Sequence, residues 1–133
     1  MNKQQAYSAF WNGFGVLAFE ENSAPTSDVL KQLAAAAGKP TDIYITYQVL
    51  VDDLDGKVFP TASIWSKSSS WEKADTLSNT ISSRIEAMST IKLDNGRMFI
   101  TKGSPFAQHM GDEGDQTIKR IILNLGIEFL TQF

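Results

Sequence analysis

His109 is the only histidine in the chain, and this limits what its side chains could catalyse. One histidine cannot supply a two-histidine metal site within one chain. It could serve as the base of a Ser-His-Asp set, but no Gly-x-Ser-x-Gly elbow is present to hold the serine. A small hydrolase using His109 is therefore the third reading of this chain. Asp52, Asp53 and Asp55 ahead of Gly56 resemble a calcium loop. The alternating ligands and the closing glutamate are missing, so the spacing fits a solvated hairpin turn better. Asn12-Gly13-Phe14-Gly15 is too short for a phosphate loop and is followed by no lysine. Tyr7, Phe10 and Trp11 could cage a ligand, although a helix packed on a sheet explains them more simply. These residues imply no catalytic set, no cofactor site and no metal site.

A different kind of chemistry is suggested nearer the C-terminus. Asp112, Glu113 and Asp115 precede Lys119 and Arg120, two groups of opposite sign that suit contact with a neighbouring subunit. They border a stretch without clear periodicity, Lys102 to Gln116, which reads as an irregular loop of about fifteen residues. A loop that long in a small domain tends to have a function. Phe106 and Met110 lie in it among glycines and acids. Exposed apolar groups beside charges fit a protein–protein contact. Two readings of Phe106 stand: an anchor for a partner, or a ring folded back onto its own core.

The elements that must carry these residues follow from periodicity. Ala74, Leu77, Ile81, Ile85 and Met88 recur at spacings of three and four, which predicts an amphipathic helix after the hydroxyl-rich turn at Ser68–Ser70. Glu72 and Asp75 suit its N-terminus, and Ser69 or Ser70 can accept from its first-turn amides. Residues 2 to 12 form a second helix, stopped by Asn12-Gly13 and Gly15. Residues 26 to 38 form a third, Ala-rich helix with Gly38 and Pro40 as its stop, and it reads as a peripheral insertion.

Extended stretches are expected at Val16–Phe19 (a short run) and, as strands, at Ile43–Val51, Val58–Ser66, Ile91–Leu93, Arg97–Thr101 and Thr117–Thr131. The second alternates Ile43, Ile45, Tyr47, Val49 and Val51 against Tyr44, Thr46, Gln48 and Leu50, and pairs with the third as a hairpin. Pro60 belongs at an edge, a bulge or a strand start. Asn95-Gly96 predicts a tight turn with positive φ at the glycine. The last strand places Ile121, Leu123, Leu125, Ile127 and Phe129 on one face. The fold class is α+β: an antiparallel sheet of four to five strands with helices packed on one face.

At 133 residues, 42% of them hydrophobic and 20% charged, residues 1–133 read as a single domain. No run of apolar residues is long enough to span a membrane, and the N-terminus lacks the apolar block of a signal peptide. The absence of cysteine excludes disulfides and thiolate metal sites, which permits life in a reducing cytoplasm. A net charge of −3 argues against sequence-specific or broad nucleic-acid binding and leaves protein partners.

One stretch carries a resemblance. Arg97-Met-Phe-Ile-Thr-Lys-Gly-Ser-Pro-Phe-Ala-Gln-His-Met110, with Asp115, Ile118 to Asn124 and Glu128-Phe-Leu130, is similar to a family of phage and prophage tail-terminator, or tail-completion, proteins of the neck module. Phe14-Gly15 with Ala18, Tyr44 to Tyr47, Ser63-Ile-Trp65 and Ser70-Trp71 echo the same pattern. Lys102 to Gln108 is its most specific run. The chain departs from it in the helix at 26–38, in His109 where arginine is expected and in Phe99 where tryptophan is expected.

The resemblance implies a virion structural protein, without catalysis, that assembles in the host cytoplasm. Its partners would be further copies of itself in a ring, usually a hexamer, together with the tail-tube protein and the head connector. Phe106, Met110, Asp112, Glu113, Asp115, Lys119 and Arg120 are the residues expected at the subunit interface. A different head–tail joining or minor capsid protein is the second reading.

Overall fold

The computed structural model describes residues 2–21, 26–48, 50, 57–68, 70–88, 90–94, 96–111 and 117–131. Its longest helix, α3 (Glu72–Ala87), buries the stripe expected of it: Ala74, Leu77, Ile81 and Ile85 are all inside. Ser70 Oγ accepts from the Glu72 amide at 3.1 Å, and Ser68 Oγ from the Ser70 amide at 3.2 Å. The hydroxyl-rich turn thus serves amides at the helix entrance, although Trp71 occupies the N-cap position itself.

Helix α1 (Lys3–Trp11) opens with a capping box in which Asn2 and Gln5 satisfy each other's amides. A 3-10 turn at Asn12–Phe14 follows, and Gly15 ends it at φ 77°, a left-handed conformation open to glycine. Tyr7, Phe10 and Trp11 are buried, with Tyr7 and Trp11 packed against Tyr47. The aromatic cluster is core, not a cage. The Tyr7 hydroxyl and the Trp11 Nε1 find no hydrogen-bond partner among the described residues. Burial raises the Tyr7 phenol well above its ordinary value.

The strands are β1 (Leu17–Glu20), β2 (Ile43–Tyr47), β3 (Lys57–Val58), β4 (Thr61–Lys67), β5 (Ile91–Leu93), β6 (Gly96–Gly111) and β7 (Ile118–Thr131). They form one sheet of mixed α/β type, ordered β1-β2-β4-β7-β6-β5, with β3 also on β7. The sheet is larger than expected, seven strands instead of four or five. Nor is it wholly antiparallel, because β1 pairs with β2 in parallel. A parallel pair needs a long crossover, and α2 (Ser27–Ala37) lies in it. The helix thus joins two parallel neighbours, and of its described side chains only Ala34 is buried. Gly38 ends α2 at φ 66°.

Three further expectations change. The strand expected at Val58–Ser66 is split at Phe59-Pro60, and its first piece, β3, pairs with β7 and not with β2. Proline lacks the amide a continuous ladder needs, and β4 starts just after it. Leu50 is buried in the core, whereas an unbroken alternation from Ile43 puts it opposite; β2 ends at Tyr47. Leu93 pairs with Gly96, so Gly96 is the first residue of β6 and not the second residue of the turn. The turn at Asp52–Gly56 lies outside the described residues, as does Asn95.

A single cluster joins α1, α3 and one face of the sheet. Ile121, Leu123, Leu125 and Ile127 of β7 are each at most 2% exposed and sit in it with Ile43, Ile45, Ile64, Met98 and Ile100. Ala34 of α2 is buried but stands outside that cluster. No helix among the described residues is long and apolar enough to cross a membrane.

Leu77→Ala removes a side chain that α3 presses onto this core. Denaturant unfolding is expected to show a loss on the order of 2–5 kcal/mol. A change below about 0.5 kcal/mol, the range of surface substitutions, would contradict the packing.

Candidate subunit-interface surface

The region expected to be a loop is a strand. Residues 102–111 continue β6, which pairs with β7 along almost its whole length. The irregular appearance of the sequence comes from one bulge. Between Lys102↔Leu125 and Ala107↔Leu123, residues 103–106 stand against Asn124 alone. Asn124 Nδ2 donates to the Pro105 carbonyl at 2.9 Å and to Gln108 Oε1 at 3.2 Å, which fastens the bulge to β7. Gly103 allows this close approach: a Cβ there would meet Asn124 Cβ and its carbonyl oxygen at 2.9 Å. Gly, Pro and an unpaired run hide strand periodicity while leaving the ladder intact on both sides.

On the helix side, β6 is tied to α3 at two points. Lys102 reaches Ser82 Oγ at 3.1 Å and forms an ion pair with Glu86. Farther along, His109 Nε2 meets Asp75 Oδ1 at 2.6 Å while its ring stacks on Trp71, centroids 3.9 Å apart and planes within 1°. His109 is 49% exposed, and its hydrogen bond goes to an aspartate in the first turn of α3. Its surroundings are those of a clasp between helix and strand. Among the described residues, no group of three or more histidines, aspartates or glutamates could hold a metal ion.

The opposite face of the sheet carries a row that runs across five strands. Pairing places Leu17, Tyr44, Trp65, Arg120 and Met110 side by side. Phe19 packs edge-on to Tyr44 at 6.3 Å, and Tyr44 stacks on Trp65 at 6.5 Å. Trp65 Nε1 donates to Thr46 Oγ1 at 2.9 Å. The Arg120 guanidinium lies 4.6 Å from the Trp65 ring centroid, and its Nε donates to Ser63 Oγ at 3.1 Å. Partial burial raises the Tyr44 phenol above its ordinary value. Met110, 46% exposed, ends the row at the outer strand.

The residues expected at an interface therefore separate. Met110 and Arg120 are neighbours on this face. Lys119 sits one pair farther along, its Nζ 5.5 Å from the Trp71 ring centroid on the helix side. Phe106 is half-buried and packs against the core, the second of its two readings. Asp112, Glu113 and Asp115 lie outside the described residues. Tyr44 and Trp65 were missed as surface candidates. Each has the parity opposite to its strand's buried hydrophobic residues, but the row emerges only once the register between strands is known.

No family model, curated protein or solved structure matches this chain.

The two perturbed phenols give a test in alkali. Burial raises both in the folded state, so the stability linked to the neutral phenols is full below the unfolded value of about 10 and is lost as pH rises from there through the raised native values. Phenolate absorbance from Tyr7 and Tyr44, isolated by Phe substitution at the other tyrosines, is expected to rise only as circular dichroism falls. Ionisation of both near pH 10 with native dichroism retained would contradict the described burial.

Proposed function

We propose that this chain is a structural subunit of a phage or prophage tail, one that caps the tail tube as a ring and presents a surface to the head connector. The observation that carries this reading is the similarity of Arg97–Met110 and Ile118–Asn124 to tail-terminator proteins, taken with the positions of those residues. They make up most of the β6–β7 ribbon, the longest pairing in the sheet. A run that specific could have been scattered over loops. Instead it forms one continuous two-stranded surface, ending in the exposed Met110 with Arg120 beside it.

A ring needs a heterologous contact, in which one patch of each subunit meets a different patch of the next. The sheet has two dissimilar ends, the short β1 at one and the long β6 with β5 over its first residues at the other, and so offers two such patches. Met110, with Arg120 beside it on β7, belongs to the second of them. The fit of Lys119 is looser, because it leans over Trp71.

Electron microscopy of tail tubes mixed with the purified chain tests the reading. Tubes are expected to carry a ring at one end and to stop elongating. Tubes that grow unchecked and carry no added density would contradict it. Density at the head vertex with bare tubes would instead favour the other head–tail joining role.

A further inference from the structure

The two outer strands of the sheet are incompletely paired. Among the described residues β1 pairs only with β2, which leaves the other side of Leu17–Glu20 without a strand. β5 covers only Gly96–Met98 of β6. Among the described residues, the rest of β6 has no strand on that side. The bulge at 103–106, which includes Pro105, interrupts this edge and leaves a straight piece at Ala107–Gly111. Its residues 107–110 are exposed. An edge of this kind is a template for another strand unless something blunts it.

We propose that β1 of one copy adds to the Ala107–Gly111 edge of β6 in a second copy, so that the sheet continues from subunit to subunit. This rests on the ring reading and deepens it. Strand direction follows from the order of the sheet. β1 and β2 run one way, β4 the other, β7 back again and β6 opposite to β7. A head-to-tail neighbour that keeps this orientation brings β1 antiparallel to β6.

Length and face then limit the register. β1 has four residues, and the exposed run 107–110 has the same number. Leu17 shares the outer face with Tyr44, and Met110 shares it with Arg120. Placing Leu17 opposite Met110 sets Phe19 opposite Gln108 and Glu20 opposite Ala107. The apolar row then continues unbroken across the junction, with Met110 covered by its neighbour. Charge supports the same partner. β1 ends in the exposed Glu20 and Glu21, while the β6 edge carries His109 and is backed by Lys119 and Arg120. Among the described residues, Arg120 meets a hydroxyl and an indole ring but no carboxylate.

The absence of native cysteine makes cross-linking clean. A Glu20→Cys/Ala107→Cys variant is expected to give, on oxidation, a ladder of covalent oligomers ending at the ring, because these positions face each other in the proposed register. A Glu20→Cys/Glu72→Cys control is expected to stay monomeric on denaturing gels. Rings seen by light scattering under reducing conditions, with no ladder on oxidation, overturn the edge pairing and leave the ring reading intact. A monomer at every concentration, with and without tail tubes, overturns both. Hydrogen exchange on the unmodified chain gives a second reading independent of the variants. Amides in 17–20 and 107–111 are expected to slow as the ring forms, and unchanged exchange in an assembled ring overturns the proposal.

Discussion

The two-residue period of β7 is the constraint on which the rest of this structure depends. Its odd-numbered residues from Ile121 to Ile127 are all buried, and side chains on a strand alternate strictly between faces. A slip of one residue would turn that whole row to the outside. The register of β7 therefore fixes which faces β4 and β6 can present, and so where α3 must lie. Burying a side chain such as Leu or Ile stabilises by roughly 1.5–3 kcal/mol. Four of them on one strand, set against four on α3, outweigh any of the surface contacts. The Lys102 and His109 contacts to α3 orient the helix on this core; exposed pairs of that kind contribute little to stability.

What could be read from the sequence divides along the same physical line. Signals carried by local sequence were legible: the α3 stripe, the face of β7, the stop of α1 before Gly15, and Gly38 as the end of α2. Signals that depend on pairing between distant strands were not. Nothing local shows that the strands on either side of α2 pair in parallel, so the mixed character of the sheet was missed. Gly103-Ser104-Pro105 reads as a loop because the period is broken there. Only the ladder on β7 reveals a bulge with strand on both sides. Gly96 reads as the second residue of a turn dipeptide, yet its pairing with Leu93 makes it a strand residue.

The candidate surface shows the same division. Met110 and Arg120 were identified from composition and charge, and register makes them neighbours. Phe106 had an equal claim by type, yet it packs inward. Trp65 and Tyr44 had no local signal at all, since an aromatic residue on a strand is ordinary. They gain meaning from alignment with Arg120 across β4 and β7. The outer face thereby acquires a continuous row of rings and one guanidinium, bounded by two incompletely paired edges. A surface and edges of this form suit a protein that works by contact with copies of itself.

The mass of the particle in solution tests that central claim most directly. The chain is 14.7 kDa. Light scattering across a concentration series, alone and in the presence of tail tubes, is expected to give a closed species of six times the mass of the chain. A mass equal to one chain in every condition, with no material bound to the tubes, would contradict it.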